Sequence, residues 1–210
     1  MTPERSGKFQ KVLTNRQPNL TIVMENVHDP HNISAVMRTC DAVGIQDIYI
    51  INSIIPKHNY FGPKSSSSAA KWLTIHQFNS VAECLQPLRQ RFQKIYTTHL
   101  SAEAVNLYDI DFTKESVALV FGNEHDGISE EMRSLADGNI MIPQVGMIQS
   151  LNISVACAVS IYEAFRQKKI VGHYEQPSLT PEIINEIQLV WSKPKVKFRF
   201  KDLRALRKSK

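Results

Sequence analysis

Two hydrophobic periodicities alternate along the chain and predict an α/β fold. Short apolar runs bounded by turn residues predict strands, and longer stretches with apolar residues at helical spacing predict helices. Strands that alternate with helices are typical of a mainly parallel sheet flanked by helices on both faces. The predicted strands span residues 20–26, 47–51, 72–75, 94–98, 117–121 and 139–142. The predicted helices span residues 32–43, 80–92, 129–135 and 151–167.

The two ends of the chain extend beyond this alternating core. Thr180 can cap a helix that has Pro181 at its first position, and the apolar residues that follow give that helix a face to dock. We therefore expect a basic N-terminal helical extension over residues 1–19, a core over 20–170, and a C-terminal helix with a basic tail over 171–210.

The charge is distributed unevenly along the chain. The formal net charge is +5, but residues 193–210 carry +8 and residues 1–16 carry +3, which leaves about −6 for the segment between them. A mildly acidic core with two basic ends suits an enzyme that grips a polyanion outside its catalytic centre. A solvated tail is the alternative, but Phe198 and Phe200 lie among the tail's cations and favour nucleic-acid binding.

Composition excludes several other classes of protein. Hydrophobic residues make up 42% of the chain, yet no apolar run approaches the roughly 20 residues that span a bilayer. The charged first residues lack the apolar segment of a secretory signal. Cys40, Cys84 and Cys157 are widely spaced and form no CxxC motif, which argues against a disulfide framework and a structural zinc. We expect a cytoplasmic protein.

Three polar motifs fall at predicted strand-to-helix loops, where ligand sites of parallel sheets lie. The first runs from Asn32 to Arg38, the second is Gly-x-Glu-x-x-Gly at 122–127, and the third is Ser-Leu-Asn at 150–152. The GxGxxG, P-loop, HExxH and GxSxG motifs are absent from the sequence, so dinucleotide, phosphate-transfer, zincin and serine-hydrolase readings have no support.

Each motif has an ordinary structural interpretation. Asn32 and Asn152 each precede an apolar helix and can act as N-caps. Arg38 lies three residues before Asp41 and can form an exposed ion pair with it. The glycines of 122–127 can simply permit a turn. These interpretations do not predict that all three motifs occur together in this order.

The third motif opens a helix that is apolar on nearly all sides as far as Tyr162, so we expect that helix to be buried. A loop that contains Pro143 and Gly146 precedes it and leaves backbone groups free to bind a ligand. The small-residue stretch at 65–70 suggests a loop or a helix start without assignable chemistry.

In this order the motifs resemble those of the SPOUT class of RNA 2′-O-methyltransferases, and the resemblance extends over residues 16–167. The segment 16–44 is most similar to the TrmH family of tRNA guanosine-18 2′-O-methyltransferases. The resemblance implies a C-terminal deep trefoil knot, S-adenosylmethionine held in it mostly by backbone groups, and a homodimer with its active site near the subunit contact. The Lys-rich tail beyond Pro194 departs from shorter members of the family.

The resemblance also implies roles for particular residues. The implied catalytic residues are Asn32, Arg38, Glu124, Ser150 and Asn152. The implied cofactor-binding residues are Thr98, His99, Leu100, Gly122, Ile142 and Leu151. The implied RNA-binding residues are Lys8, Lys11, Arg16, His31 and Arg166. No metal is expected.

The implied reaction displaces the sulfonium methyl group by a ribose 2′-oxygen. A guanidinium stays protonated in nearly all protein settings, so Arg38 is a poor general base. We expect it to act chiefly as a preorganised cation that stabilises the forming alkoxide, with an RNA phosphate available for the proton transfer. Asn32, Ser150 and Asn152 would fix the ribose and the loop.

Three other functions remain open at this point. The same chemistry on ribosomal RNA would use the same motifs. A non-catalytic RNA-binding protein on the same scaffold would have lost cofactor affinity or chemistry. An unrelated α/β enzyme of small molecules would leave the two basic ends unexplained.

Overall fold

The sheet at the centre of the molecule has seven strands, all parallel, in the order β3-β2-β1-β6-β4-β7-β5. It is seen in a computed structural model that describes residues 2–57, 69–123, 125–148 and 150–193. The strands are β1 Leu20–Glu25, β2 Asp47–Ile51, β3 Thr74–Phe78, β4 Lys94–Thr98, β5 Val105–Asn106, β6 Val117–Phe121 and β7 Gly138–Met141.

Helices cover both faces of the sheet. They are α1 Pro3–Thr14, α2 Pro30–Ala42, α3 Val81–Arg89, α4 Glu130–Leu135, α5 Ile153–Ile170 and α6 Pro181–Ser192, with short 3-10 turns at Ala69–Lys71 and Leu107–Asp109. Side chains alternate across each strand, so Ile22 and Met24 of β1 pack with α2 and α5, whereas Val23 packs with α3 and α4. The α/β architecture predicted from the pattern is confirmed.

The terminal helices form a third apolar cluster. Phe9 of α1, Trp191 of α6 and Trp72 contact one another edge to face, with ring centroids 5.3–5.7 Å apart. Thr180 caps α6 through a bond from the Ile183 amide at 3.5 Å, as its sequence predicts. Aromatic pairs of this geometry add to the energy of area burial. Both extensions therefore pack on the core.

Several boundaries differ from the sequence prediction. Strand β3 begins at Thr74 because Trp72, its predicted first residue, follows a 3-10 turn and packs into the aromatic cluster. Helix α3 contains Pro87 and ends at Arg89, before the predicted Phe92. Strand β5 was not predicted, because a strand of two residues is too short to show a hydrophobic periodicity.

Helix α5 is not buried on all sides, which corrects the prediction from its composition. Cys157, Ile161 and Ala164 face the core, but Val155 is 47% exposed and Tyr162 is 49% exposed. The sheet and α2 cover one side of α5 only. An apolar stripe on the other side is consequently left open in the single chain.

Some of the predicted features fall where the structure gives no description. Residues 65–68 and the basic tail 194–210 lie outside the described residues. The trefoil knot stays a prediction from the family resemblance. Within the described ranges, no helix combines the length and apolarity needed to cross a membrane.

A charged network lies at the amino end of β2. The Asp47 carboxylate accepts hydrogen bonds from His76 Nε2 at 2.7 Å and from Arg91 Nη2 at 2.9 Å. Burial alone would raise the pKa of Asp47, but these two hydrogen bonds outweigh it and lower the pKa to about 2. The folded state therefore favours the ionised carboxylate more than the unfolded chain does.

We expect Asp47 to make the free energy of unfolding decrease at low pH. Because its pKa is lower in the folded state, its contribution is present above about pH 4 and disappears as the pH falls towards 2, an effect of about 2 kcal/mol. Urea unfolding of the wild type and of Asp47→Asn between pH 2 and 7 measures it. The two proteins should differ at pH 7 and converge near pH 2, and a constant difference would contradict the assignment.

Candidate active site

The neighbouring strands β1 and β6 end at a point where the chain diverges. From β1 the chain passes through α2 to β2 on one side, and from β6 it passes through α4 to β7 on the other side. Such a divergence opens a crevice at the carboxyl edge of a parallel sheet, where ligands commonly bind. The first two sequence motifs lie at these two strand ends.

The glycine loop after β6 is closed by a short bridge. Asn123 and Gly127 exchange backbone hydrogen bonds of 3.1 Å in both directions, and the Asn123 side chain accepts from the His125 and Asp126 amides. A Cβ on Gly122 would lie 2.1 Å from the backbone of Gly127, so only glycine fits there. The second motif is thus a tight turn, as its ordinary interpretation proposed.

Glu124, the implied acidic residue of this loop, lies outside the described residues. The carboxylate that the structure does place here is Glu25, at the end of β1. Its Oε2 accepts from the Ser129 amide at 3.0 Å, and Ser129 in turn caps α4. Glu25 therefore ties the strand before the first motif to the helix after the second.

The two asparagines of the motifs are brought together by the fold. Asn152 Nδ2 donates a hydrogen bond of 3.2 Å to Asn32 Oδ1 across 120 residues of sequence. Asn152 also caps α5, since its Oδ1 accepts from the Ser154 amide at 2.9 Å. Asn32 is not a cap, because Asp29 caps α2 and Pro30 occupies its first position. The first and third motifs therefore form one polar site.

Arg38 lies on the exposed side of α2. The ion pair with Asp41 that the spacing favoured does not form; Asp41 Oδ1 is bonded to Arg16 Nη2 at 2.6 Å. His31 precedes Arg38 by seven residues, which is two helical turns, so both lie on the same side of α2. Ser150 is exposed two residues before Asn152.

Arg16, which the resemblance implies as an RNA contact, is buried in this structure. Its side chain is 0% exposed, and its guanidinium donates to the carbonyls of Ile45 at 3.0 Å and Trp72 at 3.2 Å as well as to Asp41. Burial lowers the pKa of Arg16, and the Asp41 carboxylate opposes that shift. A cation held in this way is not presented to a phosphate at the surface of the unbound chain, so a role inside the fold is favoured.

The other implied RNA contacts are accessible. Lys8 and Lys11 are exposed on α1, and His31 is exposed on α2. The Arg166 side chain is 60% exposed and pairs with Glu163 at 2.8 Å. Their role in RNA binding stays a prediction.

A cleft of about 460 Å³ opens where the segment after β4 faces the loop after β7. Two implied cofactor residues, Leu100 and Ile142, line it. The sequence did not predict Ser101, Ala102 and Met141, which adjoin predicted residues. Gln144, Gly146 and Ile148 also line the cleft, and they lie in the Pro- and Gly-containing loop that was expected to bind a ligand.

Two further implied cofactor residues, Thr98 and His99, precede the lining residue Leu100 and are held by hydrogen bonds. Thr98 Oγ1 donates to the Val120 carbonyl at 2.9 Å, and the His99 ring bonds to Arg133 Nη1 at 3.0 Å. The Asn139 side chain accepts from the His99 amide at 2.8 Å and donates to the His99 carbonyl at 2.6 Å. The wall segment after β4 is thereby fixed.

Gly122 lies in the loop after β6, and Leu151 lies directly before the cap of α5; neither lines the cleft. The loop after β7 carries exposed apolar side chains: Val145 and Met147 are almost fully exposed, and Ile148 is 73% exposed. Exposed apolar groups clustered around a cleft are typical of a surface that a ligand or another chain covers.

The chain belongs to the SpoU rRNA Methylase family, whose sequence profile matches residues 19–162. It is 41% identical over 192 residues to the tRNA (guanosine(18)-2′-O)-methyltransferase of Thermus thermophilus, which covers 90% of this chain and 96% of that protein. It is 38% identical over 184 residues to the enzyme of the same name from Escherichia coli, with 87% and 79% covered.

Solved structures agree with this membership. The crystal structure of the A. aeolicus TrmH/SpoU tRNA modifying enzyme superposes with a TM-score of 0.83 at 38% identity, covering 90% of this chain and 94% of that one. An AdoMet-bound rRNA methyltransferase from Sinorhizobium meliloti superposes with a TM-score of 0.65 at 25% identity, covering 74% and 59%. The fold class expected from the resemblance is confirmed.

We expect Gly122→Ala to disrupt the loop after β6. The added Cβ would overlap the Gly127 backbone, so the substitution should destabilise the protein by about 2 kcal/mol or more. Gly7→Ala is the matched control, because no atom lies within 4 Å of its Cβ position and alanine favours the α1 helix. Urea unfolding compares the two variants; equal stability of Gly122→Ala and the wild type would contradict the tight turn.

Proposed function

We propose that this protein transfers a methyl group from S-adenosylmethionine to a ribose 2′-oxygen of tRNA, at guanosine 18 of the D-loop. The observation that carries the proposal is the Asn152–Asn32 hydrogen bond, which joins the first and third motifs at the carboxyl edge of the sheet. The target nucleotide is inferred from the relatives that align with most of the chain, which are named as tRNA guanosine-18 methyltransferases.

The cleft suits the cofactor. A volume of about 460 Å³ with mostly apolar walls and few polar groups is typical of a site for an organic ligand of this size. We assign Leu100, Met141, Ile142 and Ile148 to the apolar walls and the main chain near Gly146 to polar recognition. When bound, the cofactor supplies a methyl group on a positively charged sulfur that leaves as a neutral thioether.

The residues of the chain itself orient and stabilise the nucleophile. Arg38 is exposed on α2 and cannot give up its proton readily, so it serves as a fixed positive charge for the forming 2′-alkoxide. The proton passes to an RNA phosphate or to solvent. Asn32 and Asn152 hold each other in place, and Asn152 also fixes the start of α5. Ser150, Gly122 and Glu124 complete the proposed site.

The terminal extensions favour tRNA over ribosomal RNA. The tRNA enzymes align over 87–90% of the chain, whereas the 23S rRNA (guanosine-2′-O-)-methyltransferase RlmB of Xanthomonas axonopodis aligns at 35% identity over 71% of it and 59% of its own length. Exposed Lys8 and Lys11 on α1 and exposed Arg166 on α5 are the cations that we assign to the RNA backbone.

We further propose that the protein is a homodimer in the cytoplasm. Val155 and Tyr162 form an exposed apolar stripe on α5, and the loop that lines the cleft also carries exposed apolar side chains. A second copy of the chain would bury this stripe and close the cleft at the same time. This arrangement would place the active site near the subunit contact.

Labelled S-adenosylmethionine with unmodified tRNA or ribosomal RNA tests the reaction. We expect methylation of the D-loop guanosine of tRNA, and a rate reduced about a hundredfold in Arg38→Ala because the alkoxide loses its stabilising cation. Lys114→Ala, which removes an 81%-exposed cation paired with Asp111, is the control and should keep the wild-type rate.

Activity on ribosomal RNA alone would assign the alternative substrate. An inactive protein that still binds RNA would identify the non-catalytic alternative. We expect Arg38→Lys to be slow as well, because an ammonium lacks the planar fork of a guanidinium; a near-normal rate would show that a positive charge alone suffices.

Light scattering after size exclusion tests the dimer. Tyr162→Glu places a charge in the apolar stripe and should give a monomer, because burying an unpaired carboxylate at an interface is unfavourable. Tyr108→Glu, at another exposed tyrosine outside α5, should keep the wild-type mass. A monomeric wild type, or an unchanged mass for Tyr162→Glu, would contradict the proposal.

A further inference from the structure

Asp41 is three residues from one arginine on the same helix and bonds to another from a distant part of the chain. It follows Arg38 by three residues on α2, a spacing at which opposite charges on a helix meet. Its carboxylate nevertheless lies 2.6 Å from Arg16 Nη2. In the structure the carboxylate is therefore paired with Arg16, and the ion-pair distances include none between Asp41 and Arg38.

Arg16 can bind Asp41 tightly because several other contacts already hold its side chain in place. It is fully buried, donates to the Ile45 and Trp72 carbonyls, and lies 5.3 Å from the centroid of the Trp191 ring. A planar fork held by several acceptors loses little freedom when it binds one more. Charge-assisted hydrogen bonds of this length are among the strong ones in proteins.

Arg38 is left uncommitted by this arrangement. Among the residues that the structure describes, no carboxylate lies within 4.0 Å of its guanidinium. An ion pair with Asp41 would hold the Arg38 side chain along the helix and offset the positive charge that a forming alkoxide needs. Freedom from Asp41 is thus a condition for the proposed role of Arg38.

We infer that Arg16 is a positioning residue for the methyl transfer: by occupying Asp41 it keeps Arg38 free to act on the ribose. This inference rests on the proposed function, in which Arg38 is catalytic. It also gives the terminal helices a part in the chemistry, because Trp191 of α6 packs on the Arg16 guanidinium.

Three variants test the inference. Arg16→Met releases Asp41, which then pairs with Arg38, so kcat should fall by about fivefold or more. Asp41→Asn alone removes the competitor and should keep kcat within about twofold of the wild type. The double variant Arg16→Met with Asp41→Asn should recover kcat to within about twofold of Asp41→Asn, although it is no more stable than Arg16→Met.

Recovery in the double variant is the decisive result, since a loss of activity through misfolding would persist in it. Nitrogen NMR of the arginine side chains in Arg16→Met should show the Arg38 guanidinium newly bonded. Should Arg16→Met fail to fold, Arg16→Gln, which removes the charge but keeps a donor for the buried carbonyls, takes its place with the same Asp41→Asn partner.

Two results would overturn the inference while the wild type remains active and depends on Arg38. One is a double variant as slow as Arg16→Met. The other is a set of changes in Arg16→Met: a raised KM for tRNA, a salt dependence of binding weaker by about one phosphate contact, and no recovery when Asp41→Asn is added. That set would make Arg16 an RNA contact. Full activity of Arg38→Ala would instead defeat the proposed catalytic role of Arg38 and this inference with it.

Discussion

Strands β1 and β6 lie side by side at the centre of the sheet, and every residue of both is buried because helices cover both faces. Such strands can carry apolar side chains along most of their length, and polar chemistry is displaced to their ends. The polar residues begin with Glu25 at the end of β1 and with the loop that starts at Gly122 after β6. The position of the candidate site thus follows from the packing of two strands.

The groups at this edge hold one another through contacts between distant parts of the chain. Glu25 bonds to the start of α4, and Asn152 at the start of α5 bonds to Asn32 on α2. Each contact joins the entry of one helix to another motif. A small shift of one of these groups therefore affects the starts of α4 and α5 and the α2 helix, and the proposed methyl transfer depends on such alignment.

Much of the architecture follows from sequence periodicity, because a central strand needs a continuous apolar run and a covering helix needs an apolar face. Pairings across the fold do not follow from it. From sequence, Arg16 resembled a surface cation. Only the tertiary structure shows the carboxylate and the carbonyls that accept its hydrogen bonds.

Likewise, an apolar helix can be buried by its own chain or by a partner, and composition does not distinguish the two. The exposure of Tyr162 on α5 was therefore not predicted. The capping interpretation failed for Asn32 because Asp29 and Pro30 had already started the helix.

The aromatic cluster under the terminal helices has a spectroscopic consequence. The chain contains two tryptophans, Trp72 and Trp191. Their ring centroids lie 5.3 Å apart where α6 meets the core. Intrinsic tryptophan fluorescence therefore arises from this junction and from no other part of the protein. The emission reports undocking of the terminal helices directly, and it can be followed separately from the circular dichroism of the sheet.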